Sequence, residues 1–514
     1  MRVKFRRIAS AFWTESRKSS SHVLMIERME ARVMGEKKNF DQKQRPLFDA
    51  LKKHNKQEKI SFHVPGHKNG LNWLEDMAAF RGILPFDQTE VTGLDYLHEA
   101  EGAIKKSQDL LTNFYQSQQS YYLVNGSTVG NLAMILGTTQ KGDRVFVDRN
   151  VHQSIIHGLE LNELRPIFLA PEIESKHQSP VGISLATLQK ALLAYPDVKA
   201  LILTYPTYAG DIYPIEELLD LAKAHNCLTL VDEAHGAHFI LGEQNASFPK
   251  SALFLGADIV VQSAHKMLPA ITQSAYLHIG NNLTEEQKSK VEHYLHMLQS
   301  SSPSYLLMLS LEYARWFLAS LTAADLEASL VLVKNWKYFF EEQGLNAEIS
   351  GDPLKLILRY QGLTGIELGK KLEKSGLFPE LVDHEKIVLT FPLIKENQDL
   401  GAFSEFDKYQ LGLEKSSEKR NNFIVNGHYS RLSELELTYA AQVGLMSEKI
   451  MWRTSIGRIA AENITPYPPG VPLALKGEKI QQEHITQLAG WLSQGARVVG
   501  LTEQGEIQVY LEEK

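Results

Sequence analysis

The chain has one cysteine in 514 residues, Cys227. A single thiol excludes an intrachain disulfide and any cysteine-rich metal site, so no metal is expected, and a reducing, cytoplasmic setting is the default. No apolar run is long enough for a signal peptide or a membrane span. An excess of basic charge is missing as well. Against 61 Asp and Glu there are 54 Lys and Arg, a net charge of -7, and with no basic face a nucleic-acid partner is not expected. The chain also lacks an internal repeat, the glycine spacing of a dinucleotide fingerprint and the GK[ST] of a nucleotide P-loop. What is there is 43% hydrophobic and 22% charged, enough to bury a sizeable core and to divide into two or three domains.

Residues 1–41 are basic at the start (Arg2, Lys4, Arg6, Arg7), then serine-rich, then mixed in charge from Glu27 to Lys38, and read as a poorly ordered tail. Residues 42–100 carry a helix over Arg45 to Lys56 and the loop Ser61 to Gly70, whose His63, Pro65, Gly66, His67 and Lys68 suit either punctuation or an arm that closes over a site.

From 101 to 335 strands and helices alternate. Tyr121 to Val124, Arg144 to Val147, Pro166 to Leu169, Ala200 to Thr204, Leu228 to Val231 and Ile259 to Val261 read as strands, most of them feeding a helix. That alternation predicts an α/β fold with a mostly parallel sheet covered on both faces and ligands at the strands' carboxyl ends. Leu306 to about Lys337 reads as one long helical bridge. Residues 336–514 read as a smaller α+β domain, with strands Leu354 to Tyr360 and Ile387 to Leu393 around helix Thr364 to Ser375, helices Leu432 to Glu448 and Glu478 to Leu492, and strand Ile507 to Leu511.

Chemistry collects at strand ends. Ile259 Val260 Val261 runs into Gln262 Ser263 Ala264 His265 Lys266, so a lysine leaves a hydrophobic strand. Such a lysine either reaches to water or has its pKa lowered for nucleophilic work such as a Schiff base. Asp232 ends the apolar strand Leu228 to Val231; it either caps locally or pairs with a buried cation. Asn125 Gly126 Ser127 Thr128 lies between a strand and a helix, where Gly126 permits an unusual backbone. Its hydroxyls either cap the helix or donate, with the free helix amides, to a phosphate. Together these three pieces make a pyridoxal phosphate site: a lysine for the aldehyde, an acid for the pyridine nitrogen and a phosphate cup. His152, opening a helix after a strand, either stacks on such a ring or caps.

SAHKMLPA, VDEAHGAH, VNGSTVGN, FHVPGHKNG, QSSSPSY and TPYPPGVP, in that company, resemble the Orn/Lys/Arg decarboxylase family of fold type I (aspartate aminotransferase-like) pyridoxal phosphate enzymes, in its shorter bacterial form without the N-terminal wing domain. The match runs from about Pro46 to the C-terminus. The resemblance implies a decarboxylase of lysine, arginine or ornithine that makes a polyamine-type amine. It implies that Lys266 bonds the cofactor, Asp232 pairs with its pyridine nitrogen, His152 stacks on the ring and Ala234 packs beneath. Ser127, Thr128, Ser263 and His265 would hold the phosphate, with His235 near the phenolic oxygen and Lys266 or a group near His265 as proton donor. It further implies a homodimer, or a dimer of dimers, in which Ser301 or Ser302 completes the partner's phosphate cup. Glu462 and Tyr467 are the expected neighbours of the substrate's distal cation. Lys266 and Asp232 do not by themselves choose the bond to be cleaved, which leaves an aminotransferase or aldolase-type lyase as the alternative; a silent regulatory relative is disfavoured by the intact Lys266, Asp232 and Ser127.

Overall fold

The computed structural model describes residues 40–57, 60–174, 179–413, 432–467, 472–493 and 495–511; the expected N-terminal tail lies outside them up to residue 39. Helix α1 (Pro46–Asn55) opens on a proline, whose fixed φ and missing N–H suit a first helical position. The Glu312 carboxylate accepts its free Leu47 and Phe48 amides at 2.9 and 2.8 Å. Helix α2 (Ala103–Tyr115) turns its apolar stripe, Ile104, Leu110 and Leu111, into the core and leads to strand β1 (Gln119–Leu123).

There follow α3 (Gly126–Thr138), β2 (Arg144–Asp148), α4 (Gln153–Leu161), β3 (Arg165–Leu169), the hairpin β4 (Glu172–Glu174) and β5 (Ser179–Gly182), and α5 (Leu185–Ala194). Next come β6 (Ala200–Thr204), α6 (Ile215–Ala224), β7 (Leu228–Asp232), β8 (Ile259–Gln262), the single turn α7 (Ala264–Met267), β9 (Ala275–Ile279) and α8 (Glu285–Leu298). Strand β14 (Leu432–Glu434) joins them from far along the chain, giving an eight-stranded sheet ordered β1-β9-β8-β7-β6-β2-β3-β14. The five strands from β8 to β3 are mutually parallel; β9 and β14 run antiparallel to them at the two sides, and β1, antiparallel to β9, runs in the direction of the five. All four residues of β8 are buried, as expected of a parallel strand covered on both faces. Two apolar layers, one per face, pack against the sheet. Cys227, at the entry to β7, is buried within the first, and burial pushes its thiol up to about 12, so it is a core residue.

The register decides the geometry that matters. Asp232 pairs with Val261, so the carboxyl ends of β7 and β8 sit side by side. Leu123 pairs with Ala275, which brings the turn into α3 to the same edge.

Three expectations need correction. The stretch Leu306 to Lys337 is not one helix. It is α9 (Tyr305–Ala319) and α10 (Ala323–Glu342), bent by 101°. Thr322 and Asp325 form a reciprocal capping box there, with the Asp325 amide donating to Thr322 Oγ1 at 3.3 Å and the Thr322 amide to Asp325 Oδ2 at 2.8 Å, so a second helix starts where one was expected to continue. The stretch Leu432 to Glu448 is not a helix but β14, the single turn α12 (Tyr439–Gln442) and β15 (Ser447–Met451). Its leucine spacing fits a helix, yet the open edge of β3 takes Leu432 opposite Leu169 and Glu434 opposite Ile167, and pairing overrides propensity. Helix α13 (Gln482–Ser493) begins four residues later than Glu478, whose carboxylate is occupied by Arg149 at 2.7 Å and by the Leu475 amide at 2.9 Å.

The second sheet, β10 (Asn346–Ile349), β11 (Lys355–Arg359), β12 (Leu381–Val382) and β13 (Ile387–Thr390), is antiparallel in the order β10-β11-β13-β12, with α11 (Gly365–Lys374) beside it. The last part pairs β15 with β18 (Glu506–Tyr510) and β16 (Thr465–Tyr467) with β17 (Arg497–Val499), around Trp452, Ile464, Leu488 and Val509. No single helix among the described residues is long and apolar enough to cross a membrane.

Candidate active site

A cleft of about 450 Å³ opens along the carboxyl edge of the large sheet. Lys266 lines it from α7. Burial pushes this amine below the ordinary lysine range, opposed by the nearby carboxylates of Asp232 and Glu380. Its Nζ donates to His235 Nε2 at 3.1 Å, and that ring is held well below the usual histidine pKa, first by burial and then by the Lys355 and Lys266 ammoniums. The Lys266 amine therefore meets an imidazole that its surroundings hold toward the neutral form.

Asp232, the last residue of β7, is 2% exposed. Its Oδ2 accepts from Asn131 Nδ2 at 2.8 Å and its Oδ1 from the Ala234 amide at 3.1 Å. Asn131 Nδ2 also donates to Ser154 Oγ at 2.8 Å, and Ser154 bonds His152 Nδ1 through its hydroxyl at 2.8 Å and its amide at 3.2 Å. An acceptor at Nδ1 places the His152 proton on Nε2. Burial lowers the His152 pKa, with Asp232 pulling the other way. Helices α3 and α4 thus both brace the acid at the end of β7.

The turn into α3 forms another wall. Gly126 has φ +75° and donates to the Gln273 carbonyl at 2.8 Å. No atom lies within 4 Å of where its Cβ would stand, so the left-handed backbone, rather than space, calls for glycine. Ser263 Oγ donates to Ser127 Oγ at 2.8 Å. Thr128 lines the same wall, in the first helical turn, whose N–H groups have no helical acceptor. His265 Nδ1 donates to the Ser274 carbonyl at 3.0 Å, which leaves its Nε2 as the free nitrogen. Ala234 completes this group at the cleft.

Other residues named from the sequence stand elsewhere. Ser301 and Ser302 are exposed and do not line the cleft of this chain; the Ser302 amide is turned back onto Ser300 Oγ at 3.2 Å. Glu462 is also exposed and off the cleft, while its neighbours Ala461 and Ile464 are buried. Tyr467 lies on β16, and its side chain falls outside the described residues. In the arm, His67 Nε2 bonds Asp87 Oδ2 at 3.1 Å and His63 Nδ1 bonds Thr89 Oγ1 at 3.1 Å, again away from the cleft.

Sequence reasoning missed much of the opposite wall. Thr207, Tyr208 and Asp211 follow β6 and could have been found by the strand-end rule that found Asp232. Asp383, His384 and Glu385, from the turn between β12 and β13, and Trp491 of α13 reach the cleft only through long-range packing and left no local signal.

The donor set fits pyridoxal phosphate. An amine with lowered proton affinity suits an aldehyde, a buried carboxylate without a protein cation bonded to it suits a protonated pyridine, and two hydroxyls at a helix amino end suit a phosphate. Among the described residues no group of three His, Cys, Asp or Glu side chains is placed to hold a metal ion.

The Orn/Lys/Arg decarboxylase major domain matches residues 45–335, and the C-terminal domain of the same family matches residues 430–496. The uncharacterized protein YaaO of Bacillus subtilis (strain 168) is 39% identical over 485 residues, spanning 91% of this chain and 99% of that one. The arginine decarboxylase of the same organism is 31% identical over 477 residues, spanning 90% and 96%. The crystal structure of the Francisella novicida lysine decarboxylase aligns with a TM-score of 0.74 at 18% identity, over 91% of this chain and 81% of that one, which makes the fold common to both. By these matches and by the fold on which they lie, the chain belongs to the Orn/Lys/Arg decarboxylase family.

Proposed function

We propose that this amino-acid decarboxylase uses pyridoxal phosphate and takes lysine, arginine or ornithine, releasing carbon dioxide and the matching amine. The observation that carries the reading is the pairing, within one cleft, of a lysine of lowered proton affinity with a buried aspartate braced from two helices. Bound pyridoxal phosphate supplies the electron sink for the pair left behind when the carboxylate departs. The chain does the rest. Lys266 Nζ bonds the cofactor, Asp232 faces its ring nitrogen, and His152 lies against the ring with its Nδ1 fixed by Ser154. Ser127, Thr128 and Ser263 hold the phosphate with the first amides of α3, and His265 stands by them. Lys266 Nζ would deliver a proton to the α-carbon. A basic side chain is supported by what is left of the lining: with Arg149 held by Glu478, Asp211, Asp383 and Glu385 outnumber Lys386.

The working unit is a two-fold dimer with shared sites. Two features support it. Ser301 and Ser302 have no place in their own cleft. The arm exposes Ile60, Phe62, Val64, Leu71 and Leu74, from 60% for Val64 to 92% for Phe62, an apolar patch of the kind that an interface covers. Borohydride reduction of the yellow holoenzyme followed by peptide mapping is expected to leave the pyridoxyl label on Lys266, with carbon dioxide released from at least one of the three basic amino acids. A label on another lysine, or release from neutral amino acids alone, would overturn the reading.

A further inference from the structure

A second lysine belongs to this site, and no motif marks it. Lys355 opens β11 in the second sheet and is fully buried. Its Nζ donates to the Tyr208 carbonyl at 2.8 Å. It stands 5.9 Å from the centre of the Tyr208 ring, as does Lys266 Nζ. The loop is shaped to its stem: Gly210 has φ +89°, and a Cβ there would come within 2.8 Å of Lys355 Cδ. The Tyr208 ring packs on His235 with centroids 4.5 Å apart, and its hydroxyl donates to Glu380 at 3.0 Å. One lysine thus seats the residue that seats the partner of Lys266.

An uncharged residue could hold that loop. The carbonyl of Tyr208 needs only a donor, and buried ammoniums are costly. The charge has to be explained by what it faces. Carboxylates face it from three elements: Asp352 before β11, Glu380 before β12 and Asp211 after β6. Asp352 is shared, since its Oδ1 also accepts from His238 Nε2 at 2.9 Å and from the Leu354 amide at 3.0 Å. On the remaining side stand the bases, Lys266 and His235. Burial and Lys266 push Lys355 itself down to about 8, so it is still cationic at pH 7. Its charge is the largest cause, after burial, that holds His235 neutral.

We propose that Lys355 is a positioning residue for decarboxylation: reaching from the second sheet into the β6–α6 loop, it seats Tyr208 against His235 and keeps that ring an acceptor for the nitrogen of Lys266. The inference rests on the reading of Lys266 as the cofactor lysine. The two ammoniums are no further apart than twice 5.9 Å, where an effective dielectric near 20 couples them by about one pH unit.

The test is a pH titration of the bound cofactor's visible absorbance in the holoenzyme, which reports the proton on the nitrogen joining it to Lys266. Lys355→Gln keeps a donor for Tyr208 and removes the charge, so the midpoint is expected to rise by about one unit, whereas Lys355→Arg keeps the wild-type midpoint. A folded Lys355→Gln with an unmoved midpoint would show an anchor only and overturn the proposal. The wild-type curve is a second measurement that needs no variant. Two coupled amines spread it beyond a single-proton step, and one sharp step overturns the proposal equally. Borohydride mapping separates the two failures, because a wild-type label away from Lys266 sinks the cofactor reading, while a label on Lys266 with unmoved titrations sinks only the role of Lys355.

Discussion

Asp232→Asn puts the electrostatic reading of the cleft to its strictest test, because the change removes one charge and almost no shape. Two donors converge on the carboxylate, Asn131 Nδ2 and the Ala234 amide, and an amide side chain offers only one oxygen to accept them. The neighbour can adapt. Asn131 Oδ1 is buried with no partner, so turning that amide over lets it accept from the substituted side chain's NH₂, at the loss of its own bond to Ser154 Oγ. The net loss is about one hydrogen bond, roughly 1 kcal/mol, which a chain with this core tolerates. The charge has no such substitute. Asp232 supports the proton affinity of both Lys266 and His152, so both are expected to fall further below their ordinary values. Nothing then balances a protonated pyridine nitrogen. Losing a preorganised partner of this kind costs on the order of 100-fold in turnover, about 2.7 kcal/mol or more. Carbon dioxide release measured beside thermal unfolding and cofactor retention separates the two costs: the fold and some cofactor are expected to remain while kcat collapses. Near wild-type turnover in a folded Asp232→Asn protein would refute the reasoning and leave the aspartate a structural cap.

Complementation tests the shared site: after reversible dissociation, mixing Lys266→Ala chains with chains inactivated at Ser302 is expected to restore roughly a quarter of wild-type activity, since about half the dimers are mixed and each has one intact site of two. If each site is built within one chain, no activity returns. His278 tests the buried polar core under the cleft. It is fully buried between Gln262 Oε1 at 3.1 Å and Ser120 Oγ at 2.7 Å, and burial lowers its pKa to about 3. Because the folded value lies below the unfolded 6.5, its contribution is complete above pH 6.5 and is lost as pH falls toward 3, about 2 kcal/mol by pH 5. Denaturant titrations at pH 7.5 and 5 are expected to show that loss in the wild type and to show it reduced in His278→Gln; equal losses in both proteins would count against a neutral buried imidazole.

The parts of this site that the sequence reveals and the parts it hides differ in where their partners lie along the chain. Ile259 Val260 Val261 and Leu228 to Val231 read as strands because a parallel strand covered on both faces must be apolar along its whole length. The polar residue that ends each run then stands out by contrast, which is how Asp232 and Lys266 declare themselves. The same contrast misleads at Lys355. Leu354 Lys355 Leu356 Ile357 Leu358 reads as a strand with one polar residue near its open end, and nothing local to it shows that the residue is buried against the Tyr208 carbonyl. Leucine spacing misleads from Leu432 in a comparable way, since whether Leu432 and Glu434 enter a helix or a strand depends on whether an edge such as β3 is free to take them. Thr322 is the opposite case. Its capping box with Asp325 is a local signal, legible in principle, but apolar residues on both sides of it outweigh a four-residue pattern in any window long enough to show helical period. Local contrast therefore finds the residues that the large sheet presents by itself. The wall that Asp383, Glu385 and Trp491 build depends on where a second body of structure comes to rest, and no window of sequence contains both sides of that contact.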